Sequence, residues 1–177
     1  MSIKNWKKIK TERVYDNFKK IDRTTFKLQD GKLKDFDIVT TDHSVVSVVG
    51  FTKDKKAILT KQYRPGPEKI FYEFPLGYIE EGETSIQAAK REFLEETGYV
   101  GHFKKIGVKY NNGYSRVKVH CYLASDCQKT ESKLKLDEAE FIEVHLVSLK
   151  ELRKMLKNGK IRNFGEGYLA LDYLNLL

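Results

Sequence analysis

Three glutamates, Glu92, Glu95 and Glu96, are the strongest candidates for chemistry in this sequence. Apolar spacing predicts a helix over residues 84–97, and at 100° per residue the three carboxylates fall within an arc of about 100°. Carboxylates at this spacing repel one another, and the single neighbouring Arg91 would not neutralise all three. Oxygen ligands with no His or Cys beside them are typical of Mg²⁺ or Mn²⁺ sites. The pattern therefore favours a divalent metal centre, with a solvated acidic helix face as the alternative for the glutamates taken alone.

The wider spacing around these glutamates forms a motif. Residues 77–99 match the Nudix box, G-x5-E-x7-R-E-U-x-E-E-x-G-U, at every fixed position. The fixed positions are Gly77, Glu83, Arg91, Glu92, Glu95, Glu96 and Gly98. Since each residue type has a usage of roughly 7%, such a match arises by chance about once in 10⁸ windows. The chain thus resembles the Nudix hydrolase superfamily.

This resemblance implies an enzyme that uses Mg²⁺ or Mn²⁺ to hydrolyse a phosphoanhydride in a nucleoside diphosphate linked to another group. The metal ligands would be the carboxylates of the three glutamates and the backbone carbonyl of Leu76. Glu83 and Arg91 would hold the loop before the helix against the helix, without a catalytic role. The implied fold is an α/β/α sandwich with a small N-terminal antiparallel sheet.

Two segments near the box resemble the ADP-ribose and nucleoside diphosphate sugar pyrophosphatase branch of the superfamily. They are Gln-Tyr-Arg at 62–64 and Glu-Phe-Pro-Leu-Gly at 73–77, the latter similar to the branch's Glu-x-Pro-Ala-Gly. The resemblance implies that Arg64 contacts a phosphate or the terminal ribose, and that Tyr63 and Glu73 also belong to the substrate site. An ordinary surface arginine is the alternative interpretation of Arg64.

A later acidic segment contains the candidates for the general base. A carboxylate that binds a metal is a poor proton acceptor, because the cation lowers its pKa. Residues 138–144 resemble the branch's acidic loop and strand, which points to Glu138 first and Glu140 second as catalytic glutamates. Glu95 of the box is the third catalytic candidate. A solvated acidic loop without a catalytic role remains the alternative.

Residues 110–117 leave the substrate open. They read Tyr-Asn-Asn-Gly-Tyr-Ser-Arg-Val, without the proline and the Ser-Asp-Glu that the branch often has. The candidates are therefore ADP-ribose, a nucleoside diphosphate sugar such as GDP-mannose or ADP-glucose, and a dinucleotide. Action on RNA 5′ ends is a further alternative, as is a nucleotide-sensing module without catalysis. The retained box glutamates argue against the sensing module.

A mixed scaffold of strands and helices must position these residues. Thr84 with Gln87 and Ser148 with Glu151 are capping boxes, and glycines follow both predicted helices. The strands predicted after the N-terminal segment cover residues 44–51, 57–63, 71–74, 101–110, 117–123 and 140–146. The last two helices are predicted over 148–158 and 168–177. The βαβ periodicity of a doubly wound sheet is absent.

The polar segment of residues 6–42 predicts three short strands, with Asp30-Gly31 as a hairpin turn. Such strands bury little by themselves, so we expect them to pack on a neighbour. Similar sheets in the branch serve dimerisation and complete the substrate site across subunits. The sequence therefore predicts a homodimerisation layer over residues 1–43 and a Nudix hydrolase domain over 44–177.

Composition limits the class of protein. The chain has 177 residues, of which 40% are hydrophobic, enough for a packed domain and incompatible with full disorder. Two cysteines form no disulfide framework, and the apolar runs are too short for a membrane span. The net charge of +8 suits a phosphorylated ligand, but without a basic-aromatic RNA motif nucleic acid is not expected. We expect a cytoplasmic enzyme with a nucleotide-containing small-molecule substrate.

Overall fold

The computed structural model describes residues 2–131, 134–136, 138 and 141–177. Its internal contacts divide the chain into two compact units. The first combines Met1–Ser44 with Tyr110–Lys118, and the second combines Val45–Lys109 with Val119–Leu177. The sequence predicts a boundary after residue 43, and the first segment of the first unit ends at Ser44. Tyr110–Lys118, which was expected in the hydrolase domain, groups with the N-terminal strands.

Within the described residues of the first unit, three antiparallel strands form a sheet in the order β1-β2-β3. They are β1 (Lys7–Asp16), β2 (Lys20–Lys27) and β3 (Leu33–Thr40). Gly31, with a φ of +87°, lies in the turn between β2 and β3, as the Asp-Gly hairpin signal predicts. Strand β1 is an edge of this sheet, and all of its residues are exposed.

Arg116 explains why Tyr110–Lys118 belongs to the first unit. Its Nη1 donates to Asp22 Oδ2 at 3.1 Å, and its Nη2 donates to Thr24 Oγ1 at 3.1 Å, both on β2. Its backbone N–H also donates to the carbonyl of Val39 on β3 at 2.9 Å. The segment that departs from the pyrophosphatase branch is therefore an extension of the N-terminal sheet.

The described part of the second unit contains a mixed seven-stranded sheet, in which β10-β5-β4-β9-β8 is the main order. Its strands are β4 (Val45–Thr52), β5 (Ala57–Arg64), β6 (Lys69–Glu73), β7 (Leu76–Tyr78), β8 (Tyr99–Tyr110), β9 (Lys118–Lys129) and β10 (Glu143–Val147). Strand β6 pairs with β5, β7 pairs with β4, and β4 runs parallel to β9. The short β7 has no counterpart among the predicted strands.

Three helices complete the described part of this unit: α1 (Ser85–Thr97), α2 (Leu149–Lys157) and α3 (Phe164–Tyr173). The prediction for the last helix, 168–177, was wrong at both ends. Gly165 and Gly167 lower the local helix propensity, so the sequence did not indicate that α3 begins at Phe164. A Cβ at Gly167 would lie 2.6 Å from Leu156 Cδ2, so glycine permits close packing of α3 on α2. None of the described helices is long and apolar enough to span a membrane.

Alternating side chains of β4 separate the core of the second unit into two layers. Val46 and Val48 pack in the cluster that contains Phe93 of α1. Val49 and Phe51 pack in the cluster that contains the buried side chains of α2 and α3. Helices thus cover both faces of the sheet. This confirms the predicted α/β/α sandwich, which accompanies the small antiparallel sheet of the first unit.

Candidate active site

Helix α1 has both of its predicted caps. Thr84 Oγ1 accepts a hydrogen bond from the N–H of Gln87, and the Gln87 side chain accepts one from the N–H of Thr84 at 2.9 Å. At the other end Gly98 adopts a left-handed conformation with a φ of +71°, and its N–H donates to the carbonyl of Leu94 at 2.7 Å. These local signals therefore set the length of the helix that presents the glutamates.

Packing between Phe93 and Gly50 fixes α1 on the sheet. The Phe93 ring is fully buried and lies over Gly50 of β4, where a Cβ would overlap the ring. Glycine at this position therefore allows the helix to approach the strand closely. Because Phe93 lies between Glu92 and Glu95 in sequence but on another face of the helix, this contact orients the acidic face.

Arg91 is the centre of the hydrogen-bond network on that face. Its Nε donates to Glu83 Oε1 at 3.0 Å and its Nη2 to Glu83 Oε2 at 2.9 Å. Nη2 also donates to the carbonyl of Tyr78 at 2.9 Å. Nη1 donates to Glu92 Oε1 at 2.8 Å and to Glu95 Oε2 at 3.2 Å. The guanidinium thus joins the loop before α1 to the helix itself.

The electrostatics of this network favour the charged forms. The hydrogen bond from Arg91 holds the pKa of Glu83 below its usual range, against the opposing effect of partial burial. The carboxylates around Arg91, Glu83 first, raise its own pKa further above physiological pH. Glu83 therefore remains a carboxylate that is bound to one arginine, as expected of a residue that holds the loop in place.

The predicted metal ligands differ in burial. Glu96 is only 3% exposed, whereas Glu92 and Glu95 are half-buried. The Glu92 carboxylate lies directly against Gly77, where an added Cβ would overlap it. The glycine that opens the box therefore makes room for a glutamate side chain at the strand that contains Leu76. Strand β7 and helix α1 are close enough for the Leu76 backbone and Glu92 to belong to one site.

The donor set fits a hard divalent cation in its chemistry, since it consists of carboxylate and carbonyl oxygens. As the side chains lie here, no three Asp, Glu, His or Cys residues of the described ranges form a group that could hold a metal ion. Arg91 Nη1 instead occupies the space between Glu92 and Glu95. A bound cation would compete with this guanidinium for the same oxygens.

Arg64 and Glu73, two of the predicted substrate contacts, are bonded to each other. Arg64 Nη2 donates to Glu73 Oε2 at 2.7 Å, and its Nε donates to Oε1 at 2.9 Å. Arg162 also binds this carboxylate, with Nε at 2.5 Å from Oε1 and Nη2 at 2.9 Å from Oε2. Burial alone would raise the pKa of Glu73, but the hydrogen bonds from both arginines outweigh it and lower this pKa. Sequence reasoning missed Arg162, which has no motif around it.

Tyr63, the third predicted contact, precedes Arg64 on β5 and is 56% exposed. Its neighbour Gln62 is buried, as alternation along a strand requires. Glu73, by contrast, has no exposed surface. It can therefore act on a ligand only through the arginines that surround it.

The candidates for the general base lie in the acidic segment before β10. Glu138 is exposed and lies in a turn, whereas Glu140 lies outside the described residues. The N–H of Lys135 donates to the backbone carbonyl of Glu95 at 3.2 Å. This bond attaches the chain to the C-terminal half of α1 three residues before Glu138.

Comparisons with known proteins agree with this geometry. A family profile described as the NUDIX domain matches residues 41–165. An ADP-ribose pyrophosphatase of Bacillus subtilis is 35% identical over 84% of this chain and 80% of its own length. A methanol dehydrogenase activator of Bacillus methanolicus is 31% identical over 96% of this chain and 92% of its own. The crystal structure of an ADP compounds hydrolase superposes with a TM-score of 0.85 and 21% identity, covering 99% of this chain and 97% of that one.

Proposed function

We propose that this chain, which belongs to the Nudix family, cleaves the diphosphate linkage of ADP-ribose or of a related nucleoside diphosphate sugar. It is a Nudix pyrophosphohydrolase. The proposed products are a nucleoside monophosphate and a sugar phosphate. The substrate class is supported by the name of the Bacillus subtilis relative and by the Arg64 segment beside the box.

One observation carries the proposal. Arg91 binds Glu83, Glu92 and Glu95 at once and also donates to the carbonyl of Tyr78, and it thereby holds the acidic face of α1 beside β7, the strand that begins at Leu76. A rigid helix positions carboxylates more accurately than a loop does, and such positioning contributes to catalysis. The complete set of box glutamates favours an enzyme over a nucleotide-sensing module.

The residues have distinct roles in the proposed mechanism. Glu92, Glu95, Glu96 and the Leu76 carbonyl would hold Mg²⁺ or Mn²⁺, which when bound neutralises charge on the diphosphate and lowers the pKa of water. The Arg64 guanidinium contacts a phosphate or the terminal ribose of the substrate. A carboxylate of the acidic segment, Glu138 first and Glu140 second, accepts the proton of the attacking water.

The proposal includes a homodimer that is formed through the N-terminal residues. Among the described residues, strand β1 pairs with β2 alone and is an edge of its sheet, and it exposes Ile9, Val14 and Tyr15. Exposed edges of this kind are available for pairing with another chain. A second copy of this chain is the partner that the family resemblance implies.

The proposed location is the cytoplasm. Cys121 and Cys127 are free thiols, and both are buried. Burial raises the pKa of Cys121 to about 11 and that of Cys127 to about 12, so both stay protonated at neutral pH. Inert reduced cysteines are common in proteins of reducing compartments.

A substrate screen tests the proposed function. Purified protein is incubated with Mg²⁺ and ADP-ribose, ADP-glucose, GDP-mannose, dinucleoside polyphosphates, NADH or capped RNA, and the products are separated by anion-exchange chromatography. We expect AMP and ribose phosphate from ADP-ribose, and no turnover when EDTA replaces Mg²⁺. Preferential cleavage of capped RNA or of dinucleotides would favour the alternatives, and no turnover of any substrate would favour the sensing module.

A further inference from the structure

The chain changes partner strands immediately before the box. Glu73, the last residue of β6, pairs with Thr60 of β5, whereas Leu76, the first residue of β7, pairs with Ser47 of β4. Phe74 and Pro75 form the crossing between the two strands. The crossing sets the position of the Leu76 carbonyl, because only Pro75 separates Leu76 from the buried Phe74.

A distant segment, residues 161–163, lies along this crossing and is called the 161–163 strap below. Ile161 forms a parallel β-bridge with Tyr72, and the N–H of Arg162 donates to the carbonyl of Tyr72 at 3.0 Å. Asn163 follows at the N-cap position of α3. The strap therefore extends the pairing of β6 at the point where β6 leaves the ladder.

Asn163 forms hydrogen bonds with both backbone polar groups of Phe74, whereas the carbonyl of Pro75 accepts one from the N–H of Val48 at 3.0 Å. Asn163 Oδ1 accepts from the N–H of Phe74 at 2.9 Å, and its Nδ2 donates to the carbonyl of Phe74 at 3.0 Å. Nδ2 also lies 3.3 Å from the hydroxyl of Ser47, the residue that pairs with Leu76. Asn163 is 7% exposed and Phe74 is fully buried, so water is not an equivalent partner for the N–H and the carbonyl of Phe74.

An asparagine is suited to this position by its amide. A primary amide donates and accepts, as a peptide group does, and so replaces one strand residue of a ladder. An aspartate of the same shape accepts but does not donate when ionised. Replacement of Nδ2 by oxygen would leave the buried Phe74 carbonyl without its donor.

Arg162 acts on the residue before the crossing. It shares the buried carboxylate of Glu73 with Arg64, so two guanidiniums surround one carboxylate. The arrangement carries a net positive charge of one, which favours a nearby phosphate. Because both arginines bind the same two oxygens, Arg162 limits the orientations available to Arg64.

We infer that Arg162 and Asn163 are positioning residues of the hydrolytic site. Asn163 holds the backbone from Phe74 to Leu76 in place, and Arg162 orients Arg64 through the carboxylate of Glu73. The inference rests on the proposed function, because Leu76 and Arg64 act on metal and substrate only there. It predicts that the two residues have separate effects: Asn163 affects metal binding, and Arg162 affects substrate binding.

The first arm of the test measures metal binding without substrate. Free Mn²⁺ is followed by electron paramagnetic resonance during titration of the wild type, Asn163→Asp and Asn158→Asp. Asn158 is exposed and provides the matched control. We expect Asn163→Asp to weaken Mn²⁺ binding about 10-fold, the effect typical of residues that orient metal ligands, and Asn158→Asp to match the wild type.

The second arm measures substrate binding with Arg162→Lys, a milder change that keeps the charge. Lysine does not reproduce the two parallel hydrogen bonds to Glu73, so Arg64 gains freedom. We expect KM for ADP-ribose to rise about 10-fold while kcat and Mn²⁺ affinity stay near those of the wild type. The control is Arg153→Lys, since Arg153 also uses Nε and Nη2, in its case on the carbonyl of Leu176.

The outcomes separate the inference from the proposed function. If the wild type neither binds Mn²⁺ nor hydrolyses ADP-ribose, the proposed function fails and the inference fails with it. If the wild type is active and Glu96→Gln is inactive, but Asn163→Asp and Arg162→Lys match their controls, only the inference is overturned. Circular dichroism shows whether Asn163→Asp is folded at the assay temperature, and if it is not, the Arg162→Lys result decides.

Discussion

Arg91 and Glu83 form a bidentate pair across the Nudix box, with Nε at 3.0 Å from Oε1 and Nη2 at 2.9 Å from Oε2. The pair joins the loop before α1 to the middle of the helix, eight residues later in sequence. It leaves Nη1 of the same guanidinium for Glu92 and Glu95. One arginine therefore both holds the loop in place and partly neutralises the acidic face.

The geometry of this pair predicts that lysine cannot replace Arg91. Lysine keeps the charge but cannot bind Glu83 through two parallel hydrogen bonds while it reaches Glu92 and Glu95. We expect Arg91→Lys to lower the free energy of unfolding by about 1–3 kcal/mol in urea titrations. Lys90→Ala, an exposed change on the same helix, is the control and should stay within about 0.5 kcal/mol. Equal stability of the two variants would contradict a structural role for the pair.

Glu96 provides a test of the metal assignment. Glu96→Gln preserves the shape of a side chain that is 3% exposed, but it removes the charge that a divalent cation requires. We expect a loss of at least ~100-fold in kcat with Mg²⁺, with an unchanged circular dichroism spectrum. Near-normal Mg²⁺-dependent turnover in this variant would refute the assignment.

The extent to which sequence predicted this structure depends on how local each signal is. The caps of α1 lie within or next to the helix, so Thr84, Gln87 and Gly98 predicted its bounds closely. The box likewise indicated the pair of Arg91 and Glu83, which are eight residues apart. The caps of α1 and the pair of Arg91 and Glu83 were predictable because all of these residues lie within or next to one helix, where sequence spacing determines which side chains are close.

Long-range contacts were not predictable in this way. Arg162 binds Glu73 from 89 residues away, and Arg116 binds Asp22 from 94 residues away. Each contact depends on how the whole chain folds back, and neither arginine lies in a motif. The start of α3 was missed for another reason, since Gly167 lowers helix propensity but is required by close packing against Leu156.

The depressed pKa of Glu73 predicts a loss of stability in acid. Burial would raise this pKa, but the hydrogen bonds from Arg64 and Arg162 lower it below that of the unfolded chain. The unfolded state then binds more protons, so the contribution is present above the unfolded pKa of about 4.3 and is lost as pH falls through the folded pKa. We expect the free energy of unfolding of the wild type to fall more steeply than that of Glu73→Gln as pH drops below about 4.3. Parallel curves for the two proteins would contradict this role of Glu73.

Light scattering of the purified protein tests the proposed homodimer. The exposed edge strand β1 carries apolar side chains, and we expect it to lie at the subunit interface. The wild type should have the mass of a dimer, and Ile9→Glu, near the start of that edge strand, should shift the equilibrium towards the monomer. Leu177→Glu changes an exposed apolar residue elsewhere and should leave the mass unchanged. A stable and fully active wild-type monomer at micromolar concentration would refute the dimer.

The general base is expected outside the box, in the acidic segment before β10. Carboxylates occupied by cations accept protons poorly, which excludes the three box glutamates as efficient bases when metal is bound. Glu138 is exposed, and it lies three residues after Lys135, whose N–H donates to the carbonyl of Glu95 in the box helix. We expect Glu138→Gln to lower kcat about 10²–10⁴-fold with little change in KM for ADP-ribose, because the base acts in the transition state only. Glu140→Gln tests the second candidate, and Glu131→Gln, an exposed change earlier in the same connection, serves as the control. If Glu138→Gln and Glu140→Gln both keep rates within a few-fold of the wild type, the proton goes to another acceptor.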